Sequence, residues 1–260
     1  MAISKRKKFL VKHASWLLMI VLLVFWEFIC RALQVPQFLF PAPTAVLEAG
    51  IARWEIISMH ALQTLYTTLV GFAIAVAFGL LVGMAVGSSP LVYRALYPMM
   101  VGFNSIPKVA FVPVLVVWFG IGTVPAILTA FLISFFPVLV NVATGLSTLE
   151  PELEDVLRSM GASKLDILRK VGLPRTMPYF FASLKVAITL AFVGSVISET
   201  VASNLGIGYL MMAASSSMDM ALVFAGLIVI GAMGVGMYEL FALTEKRFTG
   251  WANRGSGGVA

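Results

Sequence analysis

Two long runs without charged residues dominate the hydropathy pattern of this chain. No Asp, Glu, Lys or Arg occurs in residues 56–93 or in residues 109–149. A helix needs about 20 apolar residues to cross the hydrocarbon core of a bilayer, so each run predicts at least one membrane span. Along the whole chain the pattern predicts six spans, at about residues 14–34, 62–87, 91–119, 124–146, 177–200 and 220–243.

Two of these spans carry residues that change the expected packing. Gly79, Gly83 and Gly87 recur at every fourth position of the second span, and small residues at this spacing allow helix backbones to approach closely. The third span contains Pro107 and Pro113. Because proline removes an amide donor and clashes with the preceding turn, we expect the third span to be broken near its middle.

The composition excludes an ordinary soluble globule. Of the 260 residues, 60% are apolar and 12% are charged, and the mean hydropathy is +0.98. Soluble domains are about 45–50% apolar and about 25% charged, and much of their surface must face water. We therefore expect an all-α polytopic membrane protein with a single transmembrane domain over residues 1–260.

The distribution of basic residues predicts the orientation in the membrane. The net charge is +6, and Lys and Arg gather before the first span, in residues 150–175 and after the last span. The opposite side carries only Arg31 and Arg53. Since basic residues favour the cytoplasmic side, both termini and residues 150–175 are expected there. This explanation also accounts for the positive charge without nucleic acid as a partner.

The segment 147–176, between the fourth and fifth spans, has the pattern of two short amphipathic helices. An apolar stripe at helical spacing is formed by Leu153, Val156, Leu157 and Met160. Gly161 predicts the turn after the first helix. Ser163 and Asp166 predict the cap of a second helix, which we expect to end at residues 172–174. One interpretation is a solvated loop; the other is a docking element whose stripe is covered by a groove of a protein partner.

The spacing of residues in this segment resembles a family motif. Asp155 is followed six positions later by Gly161, and Leu173 and Pro174 close the pattern, with Pro174 thirteen positions after the glycine. This resembles the "EAA" motif of ATP-binding-cassette (ABC) importer permeases, although the stretch from Asp155 to Leu157 reads Asp-Val-Leu where the motif has Glu-Ala-Ala. The residues similar to the motif are Asp155, Arg158, Gly161, Ala162, Ser163, Leu173 and Pro174.

The resemblance extends over roughly residues 35–250 and points to one branch of the ABC importer permeases. Stretches similar to permeases of nitrate/sulfonate/taurine-type importers are Ile106-Pro107, Trp118-Phe119-Gly120, Phe136-Pro137, Glu199 and Gly206-Ile207-Gly208-Tyr209. The resemblance implies a type I ABC importer permease fold with six transmembrane helices and a cytoplasmic coupling-helix insert. It also implies a location in the bacterial cytoplasmic (inner) membrane.

The same resemblance implies a set of partners. These are a second copy of the chain in a homodimer, two cytoplasmic ABC ATPase subunits, a periplasmic or lipid-anchored solute-binding protein, and membrane lipid. ATP and Mg would be used by the ATPase subunit, so the chain itself is expected to hold no cofactor and to be no enzyme. In such importers the insert lies in a groove of the ATPase, which makes the seven motif residues the implied ATPase-coupling residues.

Polar and ionisable residues within spans are candidates for the translocation path. They are Asn104, Lys108, Asn141, Ser195 and Glu199. A cation at Lys108, beside the broken part of the third span, suits an anionic solute, whereas the alternative is that Lys108 reaches the membrane interface. Glu199 is expected to form a buried ion pair or a gate contact. No cluster of metal ligands accompanies either histidine, so no metal site is predicted.

Three alternatives compete with a sulfonate, taurine or nitrate importer. Some relatives in this branch import a pyrimidine precursor of thiamine or other small organic molecules. An ion-gradient-driven secondary transporter would often show inverted repeats, and no clear internal repeat is present. A membrane-embedded enzyme would need a clustered catalytic set. The chain also lacks the phosphate-binding G-x-x-x-x-G-K-[ST] sequence, so ATP hydrolysis is expected in another subunit.

Overall fold

The structure is a computed structural model that describes residues 5–147 and 151–249. Within these ranges the helices are α1 (Lys5–Ala32), α2 (Pro43–Ala52), α3 (Trp54–Gly87), α4 (Pro90–Asn104), α5 (Val112–Phe119), α6 (Thr123–Ser147), α7 (Pro151–Ser159), α8 (Lys164–Ile167), α9 (Leu173–Ala202), α10 (Ile207–Ser216) and α11 (Met220–Thr249). A 3₁₀ turn (Lys108–Phe111) precedes α5, and a π-helical turn (Leu168–Gly172) joins α8 to α9. The described residues contain no β-strand, which confirms the all-α prediction.

The chain divides into two compact units. Unit 1 comprises Met1–Met59 and Leu210–Val229, and unit 2 comprises His60–Tyr209 and Ile230–Ala260. The single transmembrane domain over residues 1–260 stays a prediction.

Four helical segments are long and apolar enough to cross a membrane: Trp54–Gly87, Thr123–Ser147, Arg169–Ala202 and Met220–Phe248. A bent pair, Leu91–Asn104 with Lys108–Phe119, gives a fifth crossing if it counts as one span. These segments agree with the last five predicted spans. The first, at 14–34, falls on α1, and residues 5–13, 15 and 16 lie outside the described side chains. The number six therefore stays a prediction.

The second span starts earlier than its hydropathy suggested. Helix α3 begins at Trp54 rather than near residue 62 and has 34 residues. At 1.5 Å per residue it is about 50 Å long, whereas the hydrocarbon core is about 30 Å thick. The polar turn that includes Glu55 and Ser58 continues the helix because its backbone hydrogen bonds need no apolar side chains. Hydropathy therefore located the apolar part of α3 and not its beginning.

The predicted break in the third span is confirmed. Helix α4 ends at Asn104, Pro107 stands before the 3₁₀ turn, and the two halves are bent by 70°. Pro113 lies in the first turn of α5, where its missing amide hydrogen is not needed. Pro107 therefore lies where one helix has ended, and Pro113 lies where the next one begins.

Glycines bring α3 against α6 in unit 2. A Cβ atom added at Gly79 would lie 2.9 Å from the Phe135 carbonyl oxygen, and one added at Gly83 would lie 2.8 Å from the Leu139 carbonyl oxygen. Real Cβ atoms essentially never come closer than 3.0 Å. The four-residue spacing therefore serves the close backbone approach predicted from the sequence.

We expect Gly83→Ala to destabilise unit 2 by about 1–3 kcal/mol, because an extra methyl group in a close-packed contact forces the helices apart. Gly231→Ala is the matched control, since a Cβ atom there has nothing within 4 Å. Thermal unfolding in detergent measures both variants. Equal unfolding temperatures for the two variants would show that the α3–α6 contact accommodates the methyl group without loss of stability.

Helix α6 also packs against α9. A Cβ atom added at Gly194 would lie 3.1 Å from Ala130 Cα, and the core cluster of the unit includes Val142 of α6 and Ile188 of α9. Lys185 Nζ of α9 forms an ion pair with Glu245 Oε2 of α11 at 2.5 Å. Helix α6 is therefore held between close-packed neighbours, while a charged pair links α9 to α11.

Unit 1 has its own contacts. The Glu27 carboxylate of α1 accepts hydrogen bonds from the Thr44 amide at 3.0 Å, from the Thr44 hydroxyl at 2.9 Å and from Arg31 Nε at 2.6 Å. Arg53 Nη1, between α2 and α3, donates to Asp219 Oδ2 at 2.5 Å. Polar pairs thus fix α2 to α1 and the end of α2 to the start of α11.

Candidate functional site

The insert between α6 and α9 folds around a glycine turn. Helix α7 ends at Ser159, and Gly161 has φ of +86°, in the left-handed region that glycine occupies readily. The Gly161 amide donates to the Arg158 carbonyl oxygen at 2.9 Å, which closes the turn. Residues 148–150 of the predicted insert lie outside the described residues.

The predicted cap of the second insert helix is confirmed. The Asp166 amide donates to Ser163 Oγ at 3.2 Å, and the Ser163 amide and hydroxyl donate to Asp166 Oδ2 at 3.3 and 2.5 Å. This exchange of hydrogen bonds is that of a capping box. The bonds from the Ser163 hydroxyl and amide hold the pKa of Asp166 below its usual value, and the nearby charge of Lys170 acts in the same direction. The carboxylate form that makes the cap is thereby favoured.

Two residues of the predicted apolar stripe, Val156 of α7 and Met160 just after its end, are exposed within the chain, whereas Leu157 is half-buried and the side chain of Leu153 lies outside the described ones. Met160 is 78% exposed and Val156 is 55% exposed. Asp155, Arg158 and Gly161 are exposed as well. A face of this kind, with large apolar side chains beside charged ones, suits a protein surface that covers it.

The predicted end of the second insert helix is wrong. The chain does not leave the helix at residues 172–174; it continues from α8 through the π-helical turn into α9. Pro174 lies in the first turn of α9, where proline needs no amide partner and its ring is tolerated. Leu173 and Pro174 therefore begin the membrane-crossing helix and give the insert a direct helical connection to it.

Lys108 and Asn104 come together at the bend of the third span. Lys108 Nζ donates to the Asn104 carbonyl oxygen at 2.9 Å and to Asn104 Oδ1 at 2.6 Å. It also lies 5.6 Å from the centroid of the Phe136 ring, within the range of a cation–π contact. The amine is therefore held at the break, with two of its three donors occupied by one residue.

The other predicted path residues are not joined to this pair. Asn141 Nδ2 donates to the Pro137 carbonyl oxygen within α6 at 2.8 Å. Ser195 is fully buried in α9, and its hydroxyl has no hydrogen-bond partner among the described residues. Glu199 follows Ser195 by one helical turn. Within the described chain, no hydrogen bond connects these three residues to Lys108.

Glu199 is the centre of a buried hydrogen-bond network. Only 1% of the residue is exposed. Its Oε2 atom accepts from the Thr64 hydroxyl at 2.7 Å and from the Gly208 amide at 3.3 Å, and its Oε1 atom accepts from the Thr67 hydroxyl at 3.1 Å. These partners are neutral, so the arrangement differs from the buried ion pair considered in the sequence analysis. Carboxylate and donors satisfy one another away from water.

The network fixes the beginning of α10. The Ile207 amide donates to Thr64 Oγ1 at 2.8 Å, and the Gly206 amide donates to His60 Nδ1 at 3.0 Å. Together with the Glu199 bond to the Gly208 amide, three successive amides have side-chain acceptors. Free amides at a helix N-terminus require such partners, and a carboxylate there is electrostatically favoured. Side chains of α3 and α9 thereby hold residues 206–208, where α10 begins.

Two glycines make this arrangement sterically possible. Gly206 has φ of +105°, and a Cβ atom added there would overlap the Glu199 carboxylate. A Cβ atom at Gly208 would lie 2.5 Å from the Val196 carbonyl oxygen. The Gly-Ile-Gly spacing noted in the sequence is therefore required by the approach of the chain to α9.

Sequence reasoning missed the residues of α3 that complete the network. His60, Thr64 and Thr67 are buried, although each looked like an isolated polar residue in an apolar helix. Their spacing of four and three places them on one helix face. The polar face of α3 was visible in the sequence, but its meaning depended on knowing that an ionisable residue, Glu199, packs against it.

Comparison with known proteins gives this arrangement its context. Residues 75–250 match the family described as "Binding-protein-dependent transport system inner membrane component". The chain belongs to this family. A probable ABC transporter permease protein of Haemophilus influenzae is 32% identical over 218 residues, covering 84% of this chain and 89% of that protein. The formylaminopyrimidine transport permease ThiX of Halalkalibacterium halodurans is 28% identical and covers 92% of this chain and 95% of its own.

Other relatives of this binding-protein-dependent permease are named for different solutes. They are 27–31% identical, cover 87–95% of this chain and 84–92% of their own lengths, and are named for riboflavin (Chloroflexus aurantiacus), aliphatic sulfonates (Bacillus subtilis), taurine (Escherichia coli) and nitrate (Leptolyngbya laminosa). The protein is thus an ABC importer permease of the nitrate/sulfonate/taurine type and a multi-pass inner-membrane protein. Family members are transport components, so the family decides against the enzyme and ion-gradient alternatives.

The permease fold is also found among solved structures. A chain of the inward-facing MetNI methionine ABC transporter superposes with a TM-score of 0.63 at 18% identity, covering 76% of this chain and 98% of that chain. This likeness confirms the type I ABC importer permease fold. The family match at 75–250 includes the insert, the bent third span and Glu199, but it begins after His60, Thr64 and Thr67.

Proposed function

We propose that the permease forms, as a homodimer, the translocation path of an importer for small anionic solutes of the sulfonate, taurine or nitrate class. Two cytoplasmic ABC ATPase subunits use ATP and Mg, and a periplasmic or lipid-anchored solute-binding protein delivers the solute. Both termini and the insert face the cytoplasm, as the basic residues favour. The pore opens alternately to the two sides of the membrane.

The geometry of the insert carries this proposal. Its apolar residues Val156 and Met160 are exposed beside Asp155 and Arg158, and the capped α8 continues into α9. A surface that docks in an ATPase groove and connects directly to a pore helix transmits ATPase closure to the pore. The proposed coupling residues are Asp155, Arg158, Gly161, Ala162, Ser163, Leu173 and Pro174.

A pull-down of the tagged permease from its native membrane tests the docking role. We expect a cassette ATPase to be recovered in mild detergent and to be lost with Met160→Glu, which places a charge in the apolar stripe. Met218→Glu is the matched control, because Met218 is 67% exposed but lies outside the insert. Equal recovery of the ATPase by both variants would contradict docking through α7.

Lys108 supports an anionic solute. Two of the three N–H donors of its amine bond to Asn104, and the third is available. The amine can therefore bind an anion without leaving the bend. A cation and non-helical backbone at membrane depth are tolerated where they line a cavity. Asn104, Asn141, Ser195 and Glu199 complete the proposed path, with Glu199 acting through residues 206–208 at the start of α10.

Lys108→Gln is expected to lower sulfonate or nitrate uptake about tenfold, which corresponds to about 1.4 kcal/mol. Lys108→Arg keeps the positive charge and is expected to retain most uptake. Uptake into vesicles that contain the complete importer measures both. Unchanged anion uptake by Lys108→Gln would remove this residue from the path.

A pyrimidine precursor of thiamine is the second candidate solute. The ThiX relative is named as a formylaminopyrimidine permease and spans nearly the whole chain. A neutral aromatic solute has no need for the Lys108 charge. Uptake of formylaminopyrimidine that is insensitive to Lys108→Gln would favour this candidate over an anion.

A further inference from the structure

Unit 1 contains an apolar groove that none of the proposed path residues lines. Its cavity volume is about 430 Å³, within the range of about 300–1,000 Å³ that is typical of ligand pockets. Helix α2, the first turn of α3 and the second and third turns of α11 form the walls, which include Gly50, Ile51, Trp54, Ala225, Ile228 and Val229.

The chemistry of the groove excludes a polar solute. Sites for small polar molecules have a few convergent polar groups that fix the ligand, and every side chain that lines this groove is apolar. A flexible hydrocarbon chain is the ligand that matches an open apolar groove in a membrane protein.

Charged groups lie at one end of the groove. Arg53 is between the lining residues Ile51 and Trp54 in sequence, and it pairs with Asp219 immediately before α11. The Arg53 side chain is 48% exposed, and its guanidinium has further donors besides the one used by Asp219. Arginine is well suited to a phosphate. An exposed Trp54 beside it is typical of the interface between headgroups and hydrocarbon.

The distances along α11 match a lipid that points into the bilayer. Ala225 and Val229 follow Asp219 by about two and three helical turns, which places them about 9 and 15 Å farther along the helix axis. Helix α11 belongs to a segment that is apolar enough to cross the membrane. The groove therefore starts at the Arg53–Asp219 pair and continues beside the membrane-crossing part of α11.

We propose that this groove binds one acyl chain of a phospholipid whose phosphate contacts Arg53. The apolar walls enclose the chain, and Arg53 supplies the complementary charge while Asp219 holds its guanidinium in place. The occupant is thus a lipid of the surrounding leaflet, held at a specific position in unit 1. This site is independent of the proposed solute and of the ATPase contact.

Fluorescence quenching in detergent tests the site, with phosphatidylglycerol that carries bromine on its acyl chains as the probe. The fluorescence of Trp54 is obtained by subtracting the fluorescence of the Trp54→Phe variant from that of the wild-type chain. We expect strong quenching of this signal in the wild type and several-fold weaker quenching in Gly50→Phe, which fills the groove. Arg53→Gln is expected to raise the lipid concentration needed for quenching.

Gly50→Ala is the matched control for the filled groove. Its Cβ atom would lie 3.6 Å from Ala225 Cβ, an ordinary contact, so quenching should persist. Val229→Phe fills the groove from the opposite wall and decides the test if Gly50→Phe fails to fold. Unchanged quenching in a folded filled variant, or no quenching of Trp54 in the wild type, overturns the proposal.

A second copy of the chain is the competing occupant. Cys30 is the sole cysteine, so Ile51→Cys in a Cys30→Ser background places a single thiol on the groove wall. We expect little cross-linking between copies at this position and continued quenching by the brominated lipid. Efficient cross-linking that prevents quenching would assign the groove to a protein interface.

Discussion

Gly206→Ala is expected to abolish transport. The new Cβ atom would overlap the Glu199 carboxylate, and φ at this position is +105°. Backbone strain alone costs about 1–3 kcal/mol. A displaced carboxylate would also leave the Gly208 amide without its acceptor, at about 1–3 kcal/mol, while the Thr64 and Thr67 hydroxyls would keep only carbonyl oxygens of their own helix as acceptors. Helix α10 would lose the contacts that hold its first turn.

The control for Gly206→Ala is Gly236→Ala in α11, where a Cβ atom has nothing within 4 Å. Solute uptake by the reconstituted importer is measured alongside thermal unfolding in detergent. Glu199→Gln keeps an acceptor for Thr64 and is expected to be milder than Glu199→Ala. Because Gly206 and Glu199 contact each other, Gly206→Ala combined with Glu199→Ala should be less damaging than the sum of the two changes. Additive losses would contradict a shared network.

Gly161→Val is expected to uncouple the importer while the permease remains in the membrane. The Gly161 φ of +86° lies in a region that β-branched residues adopt only under strain, and this strain costs about 1–3 kcal/mol. No other part of the described chain lies within 4 Å of a Cβ atom there. The strain therefore acts on the turn between α7 and α8, which sets the direction of the proposed docking face.

Gly161→Asn separates backbone strain from side-chain bulk, because asparagine tolerates positive φ better than valine does. Substantial transport by the asparagine variant together with failure of the valine variant indicates that the turn geometry is limiting. Failure of both indicates that the ATPase approaches Gly161 closely. The measurements are solute-stimulated ATP hydrolysis and uptake in proteoliposomes. Normal coupling in Gly161→Val would contradict the role of this turn.

Much of the fold was predictable because local patterns determine it. The spacing of Gly79 and Gly83 predicted a close helix contact, Pro107 predicted the bend, and Ser163 with Asp166 predicted the cap of α8. In each case the physical cause lies within a few residues: a missing side chain, a missing amide hydrogen or a short-range hydrogen bond. The insert was predictable for the same reason, although Pro174 begins α9 and does not end the preceding helix.

The network around Glu199 was not predictable from local patterns. Its carboxylate meets Thr64, which is 135 positions away in the sequence, and helices α3 and α9 come together only through the packing of unit 2. A single polar residue in a span has several possible explanations, including a path contact and an ion pair. Only the tertiary structure shows that Glu199 accepts from two hydroxyls and a helix-terminal amide.

The π-helical turn between α8 and α9 also has a mechanical meaning. Because the chain remains helical from Lys164 to Ala202, the insert is joined to the Glu199 region by continuous helix, whose span segment, Arg169–Ala202, is about 50 Å long. Because an α-helix turns by about 100° per residue, one residue added or removed in Leu168–Gly172 would rotate the insert by about that angle relative to α9. The number of residues in this short turn therefore sets the angle between the proposed ATPase-docking face and the membrane-crossing helix α9.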